Sequence, residues 1–132
     1  MRDGQTQKLS SSASNPDPNQ FFAKHSVQVV VAKGVMAGSE FHLKKARTLL
    51  GRGPAVDILI KDATMSRQHV AFDLVADGIR VQDLGSTNGI LLNGSAISTA
   101  ELKNGDRLEV GEHEFRFLLE PLDREQRTWV VE

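Results

Sequence analysis

Through most of this chain the large apolar residues recur at every second position, in short runs broken by glycine, asparagine and aspartate. That period limits the fold more than any other feature. Alternate residues line one face of a strand, whereas a helix repeats its face at three and four. Val27, Val29 and Val31 alternate in "SVQVVVAKG", and Phe41 and Leu43 in "EFHLK". Val70, Phe72 and Leu74 alternate in "HVAFDLVADG", which closes on Asp77-Gly78, a hairpin turn pair. Ile79, Val81 and Asp83 follow in "IRVQD", and Phe115, Phe117 and Leu119 in "HEFRFLL". "RTLLGRG", "VDILIKD", "ILLNG" and "RLEVG" are short apolar runs ended by turn residues. No long window keeps a convincing helical period. The expected fold is therefore an all-β sandwich or barrel.

The pattern also sets the expected boundaries. Residues 1–24, "MRDGQTQKLSSSASNPDPNQFFAK", offer little to bury and are expected to form a flexible N-terminal tail. Phe21 and Phe22 are its only aromatic residues and are placed to dock against the domain's edge. The folded domain is expected over residues 25–120, a size that buries enough surface without staples. Residues 121–132, "PLDREQRTWVVE", lie beyond the strand pattern. They read as a C-terminal tail or the start of a linker, with Trp129, Val130 and Val131 either packing back or leading onward.

Composition excludes several classes of function. The chain has no cysteine, so disulfides and thiolate metal sites are ruled out. His25, His42, His69 and His113 are scattered without ligand-like spacing, so neither a metal nor another cofactor is expected. No apolar run has the length of a membrane span and the N-terminus lacks a signal-peptide layout, so a cytoplasmic location is expected. Sixteen basic and 17 acidic residues give a net charge of -1. That balance argues against a general nucleic-acid or membrane-surface binder. Any recognition of an anion has to be local.

Three loops between the strands concentrate hydrogen-bond donors. They hold "GRG" at Gly51 to Gly53, "TMSRQH" at Thr64 to His69, and "DLGSTNG" at Asp83 to Gly89, with Asn93-Gly94 close behind. Arg52 and Arg67 carry planar guanidinium forks that match a phosphate or carboxylate. Ser66, Ser86 and Thr87 add hydroxyls, and Asn88 an amide able to pair with a peptide backbone. Each piece alone has an ordinary explanation: a turn, a solvated charge, a hairpin. Ser66 beside His69 also raises a second chemistry, a nucleophile with its base. No nucleophile-elbow sequence surrounds that serine, and no glycine loop ends in Lys-Ser/Thr as a Walker site requires.

The order and spacing of these motifs resemble the forkhead-associated (FHA) domain family. The resemblance runs from about Thr48 to Gly111, through "LLGRGPAVDILIKDATMSRQHVAF", "VQDLGSTNGILLNG" and "LKNGDRLEVG". It implies an FHA-type β-sandwich of two mainly antiparallel sheets, with binding loops at one end. It also implies a non-enzymatic module that binds phosphothreonine peptides by the arginine-based mode. In that family's terms Arg52 would be the main phosphate ligand and Ser66 a hydroxyl donor to it. Arg67 would be a second cationic contact, Thr87 would line the site, and Asn88 would hold the peptide main chain. Gly51, His69, Asp83, Gly89 and Asn93 would be loop scaffold. Thr64 stands where the family often selects the side chain three residues after the phosphothreonine. Threonine there leaves the preferred sequence open.

The implied partners are proteins phosphorylated on threonine by a Ser/Thr kinase, with no nucleic acid and no membrane. The domain would serve as a small adaptor or as the N-terminal sensor of a larger bacterial regulator. The rival expectation is a phospho-independent interaction or oligomerisation module on the same fold. A further expectation concerns Thr6. If phosphorylated, it would sit on a tail long enough to reach the site in cis, a span of roughly 25 Å on average.

Overall fold

A computed structural model describes residues 17–76 and 78–122. One helix, α1 (Pro18–Lys24), precedes the strands β1 (His25–Lys33), β2 (Glu40–His42), β3 (Arg47–Gly51), β4 (Ile58–Leu59), β5 (Val70–Val75) and β6 (Gly78–Asp83). Then come β7 (Ile90–Leu92), β8 (Ser95–Ile97), β9 (Thr99–Leu102), β10 (Arg107–Val110) and β11 (His113–Pro121). The strands make a six-stranded sheet in the order β2-β1-β11-β10-β7-β8 and a five-stranded sheet in the order β4-β3-β5-β6-β9. Every pairing is antiparallel except the short β3–β4 pair.

The period-two residues do what their spacing predicts. Val27, Val29 and Val31 lie opposite Leu119, Phe117 and Phe115, and all but the half-buried Leu119 are buried. From the second sheet, Val70, Phe72, Leu74, Ile79 and Val81 join the same apolar cluster. Two sheets sharing one core are a sandwich. Each fully buried Val, Leu or Phe contributes about 1.5–3 kcal/mol, which is what holds the sheets face to face.

The structure departs from the sequence pattern at four places. Where the sequence predicts a flexible tail through residue 24, Pro18–Lys24 form α1. Asp17 caps it by accepting the Asn19 N–H at 3.0 Å, and Phe21 is buried with its ring stacked on His25. Seven residues are too few to show a period, and packing holds the helix where propensity would not. Thr6 and Trp129 to Val131 lie outside the described residues. The β5–β6 turn sits one residue earlier than Asp77-Gly78, since Gly78 already pairs with Val75 and Ala76 takes φ 48°; Asp77 is outside the described residues. β8 and β9 are additional edge strands. The apolar run around Ile58 yields only two residues of strand.

Registry brings the loops to one end. Leu50 at the end of β3 pairs with Val70 at the start of β5, and Val70 pairs with Asp83 at the end of β6. In the other sheet Val110 ends β10 opposite Ile90, where β7 starts. The loops after β3, before β5, after β6 and after β10 therefore open on the same side.

Candidate functional site

The loop of residues 60–69 is the hub of this end. Its backbone runs against the β3 loop: Arg52 N–H donates to the Ser66 carbonyl and Gly53 N–H to the Arg67 carbonyl, both at 3.0 Å. His69 N–H donates to the Leu50 carbonyl at 2.9 Å. This close approach explains Gly51. A Cβ there would stand 2.2 Å from the Arg67 carbonyl oxygen and 2.9 Å from that of Ser66. Only glycine lets the two loops touch.

Arg52 is exposed, yet one side of its guanidinium is fixed. Its Nε donates to the Met65 carbonyl at 2.7 Å, and Met65 is itself buried in the core. The two terminal nitrogens make no hydrogen bond or ion pair among the described residues. A guanidinium held at Nε and open at both Nη atoms is preorganised for a two-pronged grip on an oxyanion.

His69 is fully buried between the loops. Its Nδ1 accepts the backbone N–H of Ser66 at 2.9 Å, and its Nε2 lies 3.0 Å from the Gly89 carbonyl. A backbone N–H can only donate, so Nδ1 must carry the lone pair and Nε2 the proton. The ring is a neutral strut from the Ser66 loop to the β6–β7 loop. Because Nδ1 is taken by Ser66's backbone and Nε2 by Gly89, neither nitrogen faces the Ser66 hydroxyl as a base. The pair is not arranged as nucleophile and base. The Ser66 Oγ accepts the Thr87 N–H at 3.3 Å, which leaves its own proton to donate.

The third loop is shaped from within. Asp83 Oδ1 accepts the Ser86 N–H at 3.2 Å, and Ser86 Oγ accepts the Gly89 N–H at 2.8 Å. These bonds close a tight turn in which Gly89 takes φ 73°. The turn puts Thr87 and Asn88 at its exposed tip. Asn88 Nδ2 donates to the Thr64 carbonyl at 3.0 Å, leaving its Oδ1 open.

Thr64 is more constrained than the sequence suggests. Its hydroxyl donates to Asp62 Oδ1 at 2.6 Å and accepts the Glu112 N–H at 3.2 Å. Asp62 Oδ1 also accepts the Thr64 N–H at 2.8 Å. The Thr64 hydroxyl and N–H hold the Asp62 carboxyl below the usual carboxylate range. Asp62 and Glu112 are site residues that sequence reasoning missed. The Asp-x-Thr pattern is an Asx-turn signal that could have revealed Asp62. Glu112 contributes only its backbone, 48 residues away, and no local pattern marks it.

Of the expected residues, Arg52, Ser66, Arg67, Thr87 and Asn88 come together on this rim, with Gly51, His69, Asp83 and Gly89 beneath them. Asn93 does not join them. It also links neighbouring loops, but at the far end of β7: its Nδ2 donates to Asp106 Oδ1 at 3.0 Å and its Oδ1 accepts the Arg107 N–H at 2.9 Å.

A mainly antiparallel sandwich with cationic, hydroxyl-rich loops gathered at one end has the build of the class of domains that carry their sites on loops of a rigid scaffold. The comparisons with known proteins narrow the class. Residues 30–120 match the family model described as the cytoplasmic domain of the inner membrane component of the T3SS, an FHA-like domain. The glycogen accumulation regulator GarA of Mycobacterium tuberculosis is 41% identical over 96 residues, covering 73% of this chain and 59% of that protein. An oxoglutarate dehydrogenase inhibitor of Corynebacterium efficiens is 35% identical over 96 residues, covering 73% of this chain and 68% of that protein. A solved FHA domain, studied for its phosphothreonine-dependent interactions, superposes with a TM-score of 0.68 at 27% identity, covering 74% of this chain and 99% of the other. The chain belongs to the forkhead-associated domain family. It spans about 60% of the length of the GarA proteins it matches, 59% to 61%.

Proposed function

We propose that this chain is a phosphothreonine reader, a domain that binds proteins after a Ser/Thr kinase has marked them. One observation carries the reading. Arg52 is locked at Nε with both Nη atoms open among the described residues, beside a Ser66 hydroxyl whose proton is unspent among them. A dianionic phosphate needs such donors, and charge-assisted bonds of this kind are about twice as strong as neutral ones. Arg67 adds a second cation, Thr87 lines the site, and Asn88 keeps its Oδ1 for a peptide N–H. With its hydroxyl spent on Asp62 and Glu112, Thr64 would influence ligand choice through its methyl group and through loop shape.

Relatives named as a regulator and as an enzyme inhibitor fit a protein that acts by binding rather than by catalysis. We extend the reading to a cytoplasmic adaptor or sensor module in kinase signalling. Among the described residues no helix is long and apolar enough to cross a membrane. The experiment is titration with one peptide in phosphothreonine, phosphoserine and plain forms. Tight binding of the phosphothreonine form alone is expected. Equal affinity for the plain peptide would instead favour a phospho-independent interaction module. Thr6 belongs to the same proposal as a ligand in cis: phosphorylating it should shift the amide resonances of Arg52 and Asn88, and unchanged spectra would remove it.

A further inference from the structure

The outward face of the six-stranded sheet groups its charges by sign, an arrangement that is unfavourable in a single chain. We infer that this face is a homodimer interface. A second copy of the chain stacks on it about a two-fold axis that crosses β10 and β11 between Arg107 and Glu109. The inference stands apart from the phosphothreonine site.

Leu108, Val110, Phe115 and Phe117 are buried in the core, so alternation turns Arg107 and Glu109 of β10 and Glu114 and Arg116 of β11 outward. Registry sets Arg107 directly opposite Arg116, and Glu109 directly opposite Glu114. Like charges in those positions repel. The other sheet shows the ordinary solution. There Arg47, Asp73, Arg80 and Glu101 stand opposite one another in turn, and each neighbour has the other sign. On β10 and β11 a row of two cations instead lies beside a row of two anions. Contacts within the chain relieve these rows only loosely. Arg107 Nε lies 3.6 Å from Glu109 and has no hydrogen bond, and Lys33 Nζ lies 3.6 Å from Glu114. Arg116 makes no ion pair among the described residues.

Cations and carboxylates on this face nearly balance, so its pattern rather than its net charge selects the occupant. A partner must present a cationic row beside an anionic row in the reverse order. The face itself does so. A two-fold axis lying in the interface, across the strands and midway between the rows, lays Arg107 over Glu109 of the second copy. It lays Arg116 over Glu114 of the second copy and repeats both pairs in return. Sheet faces stack about 10 Å apart, within reach of an arginine meeting a glutamate. Half-buried Val30, Leu91 and Leu118 stand among the charges, so stacking also removes apolar surface from water. The axis reverses strand direction. Each copy's rim therefore stays open, facing opposite ways, and the pair can hold two ligands at once.

The test is sedimentation equilibrium of the full chain without peptide. The mass should rise from one chain toward two between about 10 µM and about 1 mM, and added salt should return it toward one. Arg107→Glu with Arg116→Glu makes the face acidic, and Glu109→Arg with Glu114→Arg makes it basic. Each double variant alone should stay monomeric, and an equal mixture should form a dimer containing one of each. Arg80→Glu, on the other sheet, should dimerise like wild type. Circular dichroism confirms folding. Where a double variant fails to fold, Arg116→Glu and Glu114→Arg singly carry the same test. A wild-type chain that stays monomeric to about 1 mM overturns the inference and leaves the face to a different protein. Dimers that persist in both charge-reversed variants, or a mixture that stays monomeric, overturn it as well. None of these readouts uses a phosphopeptide, so the reader function stands or falls separately.

Discussion

Ser66 donates its backbone N–H to Nδ1 of His69 at 2.9 Å, and the opposite ring nitrogen of His69 meets the Gly89 carbonyl at 3.0 Å. One buried imidazole therefore sets the distance between the loop that carries Ser66 and Arg67 and the loop that carries Thr87 and Asn88. The adjacency of serine and histidine in sequence suggests chemistry between their side chains. In the fold the histidine binds the serine's backbone and leaves its hydroxyl proton free to donate.

His69→Ala should accordingly damage both stability and binding. It strands the Ser66 N–H and the Gly89 carbonyl, and each buried group left unpaired costs about 1–3 kcal/mol. A fall in unfolding free energy on the order of 3 kcal/mol is expected in urea, with weaker phosphopeptide affinity in the fraction that remains folded. Nitrogen NMR of the wild-type ring should show the proton on Nε2. A proton on Nδ1 would contradict the strut.

The sandwich was legible wherever alternate residues reach the shared core, as Val27, Val29, Val31, Phe115 and Phe117 do. It was not legible at the sheet edges. In β8 and β9 only Leu102 is buried, so those strands leave almost no apolar signature. Phe21 signalled docking, but one turn of helix on either side of it carries no period. The same division holds at the site. Arg52, Ser66 and Asn88, the residues proposed to bind the ligand, stand in motifs, so the sequence exposes them. Glu112 supports Thr64 through a backbone N–H that any residue would supply.

Gly51→Ala tests the loop contact without touching a functional atom. The new Cβ would stand 2.2 Å from the Arg67 carbonyl oxygen and 2.8 Å from its carbon, both backbone atoms that cannot swing aside. The two loops must separate, breaking the Arg52–Ser66 and Gly53–Arg67 backbone bonds. A loss of about 1–3 kcal/mol in stability is expected, as for overpacking elsewhere. Lowered hydrogen-exchange protection at Arg52 and Gly53 would locate the damage, and an unchanged melting temperature would refute the contact.

Arg52 should divide charge from geometry. Arg52→Lys keeps the cation but loses the Met65 tether and the planar fork, so affinity for a phosphothreonine peptide should fall steeply. Arg52→Ala should cost more, about 2–5 kcal/mol of binding free energy. Ser66→Ala removes one hydroxyl donor and should cost about 1.5–3 kcal/mol, the range for a hydrogen bond to a charged group. Thermal melts of the two arginine variants should stay close to wild type, because the side chain is exposed. Calorimetric titration against one peptide orders the set, and full affinity in Arg52→Lys would show that charge alone suffices.

Acid should weaken the loop that carries Arg52 through Asp57. Lys45 contacts this carboxylate, and the Leu49 N–H donates to it at 2.8 Å; together they hold it below its ordinary value. The folded state thus keeps the carboxylate charged at a pH where the unfolded chain has begun to protonate it. Its contribution to stability is complete above the ordinary carboxylate value of about 4 and is lost as pH falls through the lower folded value. Asp57→Asn removes the charge at every pH. The stability gap between wild type and this variant should therefore be constant from neutral pH to about 5 and close as pH drops below about 4. Melting temperatures of the two proteins across that range make the comparison. A gap that persists undiminished in acid would mean that the Leu49 bond, rather than the charge facing Lys45, is what Asp57 contributes.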